Sequence, residues 1–413
     1  MSTLRNAFFE VPPTAGLPPR LGDLLPVRTP SLAARAAEFL GVDEVQVECS
    51  GTAALVVALT ALKRRSARTT VIVPAYTCPL VAIAVAHCGL KLRLCDLVPG
   101  GIDMDSGALA RLCDDDTLAV VPTHLAGRVA DVEAATVGAY RVGAWVIEDA
   151  AQALGARFAD GTMVGTRGDI GFFSLAVGKG LTTYEGGLLI ARDAPLRKEL
   201  RRCSEEIVPQ DAAWERKRTL QLLGYHAFYR PFGLPLVYGM PRRRALRAGD
   251  ATAAVGDEFP LEIPLHRLGA WRQSVGAHAL ARLRGFQRDC AERAQKRSAR
   301  LARIPRLGVL RDAGDAQGTW PFLLLSMPTR RARDAALSEL WTSSLGVSRL
   351  FIHALPDYDY LAAIVPRSEV PNARDFAART LTISNSPWLD DDGFERIAVT
   401  LERVCANDAT VEA

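Results

Sequence analysis

Lysine is scarce in this 413-residue chain. Only six of its 50 basic residues are lysine (Lys63, Lys91, Lys179, Lys198, Lys217 and Lys296), and the rest are arginine. Arginine stays protonated in proteins, so a step that needs a deprotonatable amine must draw on those six. The bias itself reads as GC-rich codon usage. The eight cysteines form no C-x-x-C pair, and none stands with histidine at zinc spacing. No metal site is expected, and the thiols are expected to be reduced and buried. No apolar run reaches the ~18 residues of a spanning helix. Met1 to Pro30 has no continuous apolar core behind a basic start. A cytoplasmic protein without a signal peptide is therefore expected. Excess charge is missing too. The net charge of +4 gives no electrostatic reason to expect nucleic acid. With 49% hydrophobic residues the chain is not disordered.

What is present is alternation. Residues 1–30 are rich in proline and read as an extended arm. A helical pattern from Ala33 to Leu40 follows. Strand-like runs then stand at Val45–Glu48, Val71–Pro74, Leu92–Asp96, Leu118–Pro122, Ala144–Glu148, Ile170–Ser174 and Gly187–Ala191. Helical stretches such as Thr52–Lys63, Pro79–Cys88, Ser106–Leu112 and Asp131–Ala135 separate them. Buried apolar strands alternating with helices predict an α/β fold with a mainly parallel sheet sandwiched by helices. Ligands of such sheets sit beyond the carboxyl ends of the strands. The alternation stops near Arg202. Residues 203–265 mix aromatics, prolines and arginines; one long helix is expected from Trp271 to Ile304. A smaller α+β region closes the chain, with strands at Phe322–Ser326 and Leu381–Ile383. The expected division is a large domain, 1–265, and a small one, 266–413.

Three segments carry chemistry. Ser50-Gly51-Thr52-Ala53-Ala54-Leu55 is a small polar turn opening an apolar helix. Such an end offers free N–H groups and a favourable dipole to an anion, although Ser-Gly-Thr is also an ordinary cap. Val146-Ile147-Glu148-Asp149-Ala150-Ala151-Gln152 ends a buried strand in a carboxylate. A carboxylate there is costly unless it caps a helix or meets a cation. Phe173-Ser174-Leu175-Ala176-Val177-Gly178-Lys179 runs from a strand into a glycine-flanked loop, and Gly186-Gly187 returns the chain to a strand. Small apolar neighbours would desolvate the Lys179 amine, lower its pKa and make it nucleophilic. A phosphate cradle, a partner for a ring nitrogen and an imine-forming amine together suit pyridoxal 5′-phosphate.

These three segments, in this order, resemble the DegT/StrS-type sugar aminotransferases, which are fold-type I enzymes. Pro74-Ala75-Tyr76-Thr77 and Pro122-Thr123-His124-Leu125-Ala126-Gly127 extend the resemblance, which is close over residues 31–202 and looser over 265–405. It implies that Lys179 is the catalytic amine and that Asp149 pairs with the cofactor's pyridine nitrogen. It implies a hydrogen bond from Gln152 to the ring oxygen, and a phosphate held by the N–H groups of Thr52 and Ala53 and the hydroxyl of Ser174. Tyr76 or Cys78 covers the ring face. His124 either lines the site or is structural; Tyr184 and Glu185 are further candidates for substrate contact. The chain departs from the family at Leu154, where histidine is common. It departs again at Leu268-Gly269-Ala270-Trp271-Arg272, which lacks an expected asparagine.

The resemblance implies a transaminase that moves an amino group from an amino acid, glutamate foremost, to a keto group on a nucleotide-linked sugar. Alternatives are a non-sugar ketone (a cyclitol or acyl-derived ketone) in a natural-product pathway, or a regulator that keeps the fold without catalysis. The family's dehydratase branch carries histidine where Lys179 stands. A homodimer is implied as well. Segment 203–265 has three readings: a packed lid or dimer contact, a basic aromatic surface for a membrane or carrier, or an anion site built on Arg242–Arg244.

Overall fold

The structure, a computed structural model, describes residues 9–25 and 30–412. The expected arm over 1–30 is thus described only in part.

Seven strands form the large sheet: β1 (Gln46–Glu48), β2 (Thr70–Pro74), β3 (Lys91–Cys95), β4 (Thr117–Val120), β5 (Trp145–Asp149), β6 (Ile170–Ser174) and β7 (Gly187–Ala191). Their order is β1-β7-β6-β5-β4-β2-β3. Strands β2 to β6 are mutually parallel, while β7 runs antiparallel to both its neighbours, β6 and β1. Side chains alternate between two cores, as the period of a strand requires. Val71 and Val73 pack with Leu55, Leu59, Val81 and Val85 of the helices Gly51–Arg65 and Pro79–His87. Ile72 and Val146 point the other way, to Leu32, Leu40 and Ala139. Each fully buried aliphatic side chain contributes roughly 1.5–3 kcal/mol, so two filled faces fix the register firmly.

The second sheet, of order β10-β11-β9-β8, is antiparallel: β8 (Gly308–Val309), β9 (Phe322–Ser326), β10 (Val347–Ser348) and β11 (Thr380–Ser384). Leu323, Leu325, Leu381 and Ile383 face the helices Arg330–Leu340 and Asp391–Glu412 through Ala336, Leu337, Ile397 and Leu401. Residues Leu268 to Leu283 still pack in the core of the large sheet.

The structure differs from expectation in two places. The long helix is two, Ala270–Leu280 and Leu283–Leu301. At the break Arg282 turns towards the N-terminal arm, donating to the Pro18 carbonyl at 3.3 Å and to Asp23 at 2.5 Å. Residues 203–265, which have no clear period, are mostly helical: Ala212–Phe228, a π-turn at Pro235–Gly239, then Met240–Arg247 and Ala251–Val255.

Candidate active site

A cavity of about 770 Å³ opens at the carboxyl ends of the parallel strands. Its floor is the start of the helix Gly51–Arg65. Ser50 caps that helix, its Oγ accepting from the Ala53 N–H at 2.9 Å. The resemblance assigns the Ala53 N–H to an anion, and here the cap has already taken it. The donors left are those of Gly51 and Thr52, which have no partner within the helix and which line the cavity. Two glycines bring the pieces close. A Cβ on Gly51 would sit 3.0 Å from the Ser174 Cβ, and one on Gly187 would sit 2.2 Å from the Ser50 carbonyl oxygen. Ser174 therefore stands beside the helix start. Its Oγ accepts from the Ala176 N–H at 3.3 Å, which leaves its O–H free to donate into the cavity.

Asp149 ends β5, buried, at the cavity wall. Burial raises its pKa; a hydrogen bond from the Ala151 N–H at 3.0 Å and the charge of Lys179 lower it by less. The carboxylate thus lacks a full cationic partner. Lys179 lines the same cavity, and burial lowers its pKa against the opposing pull of Cys78 and Asp149. Gln152 is oriented by the backbone: its Oε1 accepts from the Ala126 N–H at 2.8 Å, so its amide NH₂ is the end left to donate. This donor set fits pyridoxal phosphate. Two N–H groups and a hydroxyl suit the phosphate, an underpartnered buried carboxylate suits a ring N–H⁺, and an amide NH₂ suits a ring oxygen.

The structure separates the two candidates for the ring face. Cys78 lines the cavity, and burial pushes its thiol up to about 12, so it stays neutral. Tyr76 points into the core. Its hydroxyl donates to the Phe351 carbonyl and accepts from the Phe351 N–H, both at 3.1 Å, and its ring packs edge-on to Phe351 and Phe376. Tyr184 lines the cavity from a left-handed turn, φ 69°. Its neighbour Glu185 is instead ion-paired with Arg218.

His124 is structural. It is fully buried, its Nδ1 accepts from the Ala130 N–H at 3.0 Å, and its Nε2 therefore donates to Glu148 at 2.9 Å. Glu148 also accepts from the backbone N–H groups of Gly165, Arg167 and Gly168. Both carboxylate oxygens each receive two donors. Glu148→Gln turns one oxygen into an NH₂ facing donors, and should destabilise the fold by about 3 kcal/mol. Thermal melting of the cofactor-free protein checks this; an unchanged midpoint would show that the network carries no stability.

Further cavity residues escape the sequence reading. Tyr225 of the helix Ala212–Phe228 and Tyr229 just beyond its end stack with ring centroids 4.3 Å apart and line the cavity with Leu234 and Tyr238. Their spacing of four residues was visible; their destination was not. Pro12 to Ala15 of the arm and Arg349, beside β10, complete the wall. The arm is strapped down through the fully buried Glu10, which accepts from Arg242 and Arg243 at 2.6 Å each. Those two arginines are therefore unavailable to a ligand anion. Arg272, from the segment without the expected asparagine, is also fully buried. It grips Glu215 and the carbonyls of Thr183 and Glu185, and so ties the end of the lysine loop to the helix Ala212–Phe228. Leu154, at the other departure, lines the cavity.

Comparison with known proteins agrees with this architecture. The L-glutamine:2-deoxy-scyllo-inosose aminotransferase of Micromonospora echinospora is 36% identical over 213 residues, 50% of this chain and 50% of its own length. The GDP-perosamine synthase of Caulobacter vibrioides is 35% identical over 165 residues, 40% of this chain and 44% of its own. The chain thus spans about half the length of the curated relatives it matches. The sugar aminotransferase Spr1654 from Streptococcus pneumoniae, a putative one by its name, superposes in its PLP form with a TM-score of 0.72 at 18% identity, covering 97% of this chain and 99% of that one. The last likeness shows the fold, which is the α/β fold of the fold-type I enzymes. The model of the DegT/DnrJ/EryC1/StrS aminotransferase family matches residues 28–227, just under half of the chain.

Proposed function

We propose that the protein is a pyridoxal phosphate-dependent aminotransferase. One observation carries the reading: Lys179, Asp149, Gln152, Ser174 and the helix start at Gly51 and Thr52 all line a single cavity. The chemistry supplied by the cofactor, when bound, is carriage of the amino group and delocalisation of the electron pair left as a Cα–H bond breaks. Gly51, Thr52 and Ser174 would hold its phosphate, Asp149 its ring nitrogen and Gln152 its ring oxygen. Lys179 would hold its aldehyde carbon, and the same amine, whose pKa burial lowers, would serve as the base for the proton at Cα. Cys78, a neutral group at the cavity wall, would face the ring. The Tyr225–Tyr229 pair and the arm exclude water from the reacting atoms.

The acceptor we favour from the family is a nucleotide-linked keto sugar, with glutamate or glutamine as donor. One observation favours a second acceptor class, an uncharged ketone such as a cyclitol. A diphosphate calls for several cations. Among the described residues lining the cavity only Lys179 and Arg349 are cationic, and Arg349 already donates to the carbonyls of Ile352 and Ala377. The reading includes a cytoplasmic homodimer, on the strength of the family alone. The experiment is a two-step absorbance assay. Loaded protein should bleach with glutamate or glutamine, and then regain its colour with one acceptor class only. No bleaching with any amino donor contradicts the reading.

A further inference from the structure

The segment of residues 216–249 has an outer face as well as the inner one that lines the cavity. Residues 216–249 contain no aspartate or glutamate. On the helix Ala212–Phe228, Arg216, Leu220, Leu223 and Ala227 recur at the spacing of a single helical stripe, and all are exposed, Leu220 to 68%. A second stripe, Leu236, Met240, Arg244 and Arg247, continues along the π-turn and the helix Met240–Arg247, and is exposed throughout. Phe232, 76% exposed, lies in the loop that joins them. The inner residues of both, Leu222, Tyr225, Tyr229 and Leu234, share one small core, so the stripes face outward from a common base. Phe228 and Val237, one from each element, are exposed and also line the cavity. The apolar strip therefore runs up to the cavity mouth.

Large exposed apolar side chains are a cost that a soluble surface does not need to bear. Here they are interleaved with exposed Arg216, Lys217, Arg230, Arg244 and Arg247 and with no carboxylate from the same stretch. A second copy of this face would set arginine against arginine across a two-fold axis. An anionic phospholipid surface satisfies both halves at once: headgroups meet the arginines, and the acyl boundary takes the leucines and phenylalanine. We propose that this face docks the protein on an anionic membrane surface, with the cavity mouth turned towards the bilayer. The inference does not depend on the reaction proposed above.

The test is sedimentation of the full chain with vesicles of phosphatidylglycerol and phosphatidylcholine in equal parts, and with phosphatidylcholine alone. The protein should pellet with the first, stay in solution with the second, and be released by high salt. Arg244→Glu with Arg247→Glu should weaken pelleting by more than about tenfold, and so should Phe232→Ser with Leu236→Ser. None of these four residues lines the cavity, so both variants should take up pyridoxal phosphate as the wild type does, which shows that they fold. The proposal is overturned if the wild type ignores anionic vesicles, if it binds both vesicle types alike, or if the folded variants bind as well as the wild type. It is also overturned if light scattering shows that the variants split a dimer while the wild type binds no vesicles. That face would then belong to a second copy.

Discussion

Lys179→Ala should abolish covalent uptake of pyridoxal phosphate and lower transamination by at least about 10⁴-fold. The size of the effect follows from scarcity. Lys179 is the one lysine among the described residues that line the cavity, and every other cavity cation is an arginine, which cannot give up its proton. Burial has already lowered its pKa, so the neutral amine is available nearer to neutral pH than that of an exposed lysine. The alanine variant should still fold, because Lys179 stands at the cavity wall and not in either hydrophobic core beside the large sheet. Its melting curve should match that of the cofactor-free wild type. A variant that still transaminates at an appreciable rate would place the chemistry on another residue.

Asp149→Asn should lower kcat by about 10²–10³-fold, the usual cost of removing one preorganised charge from a reacting centre. The substitution keeps shape and can keep the hydrogen bond from the Ala151 N–H. What it loses is the charge opposite a ring N–H⁺. The same change should leave the cofactor-free fold as stable or more stable. In that state burial raises the pKa of Asp149 above its unfolded value. A group so raised favours the folded state most at low pH, and that advantage is lost as pH rises through the folded pKa. The wild type without cofactor should therefore lose stability relative to the variant as the carboxyl ionises. Thermal melts of both proteins across acid and neutral pH, with kcat beside them, separate the roles. A variant that is both slow and unstable would mean that Asp149 holds the fold rather than the ring.

This opposition between stability and activity explains how much of the site is legible in a sequence. Asp149, Ser174, Gln152 and Lys179 stand in short segments at strand ends, and a strand end in an α/β sheet has only one place to point. The alternation of Val71, Ile72 and Val73 likewise commits each side chain to one of two cores. What a motif does not carry is the rotation of a neighbour. Tyr76 and Cys78 are two residues apart, yet one hydrogen-bonds to Phe351 and the other meets the cavity, because Phe351 arrives from 275 positions away. The Ala53 N–H looks like an anion donor until Ser50 is seen to cap it. His124 has two readings in the sequence, at the site or structural, and the choice falls only when Glu148, on the adjacent strand, is seen to fix its tautomer.

The helices of residues 203–265 were the least legible part. The helix Ala212–Phe228 carries apolar residues on both faces. Its inner face fills the small core with Leu222 and Tyr225, and its outer face holds Leu220 and Leu223 in the open. Two apolar stripes blur the period that marks a surface helix. The break at Arg282 has a similar origin. Arg282, at the break, reaches the arm 259 to 264 positions earlier in the chain, and no local residue announces it.

The central claim is that Lys179 is the amine that receives the cofactor. The most direct measurement is to add pyridoxal phosphate to the full chain, reduce with borohydride, digest, and locate the added mass by mass spectrometry. The account predicts a single modified peptide, with the label on Lys179. A label spread over Lys63, Lys91, Lys198, Lys217 or Lys296, or no label at all, would contradict it.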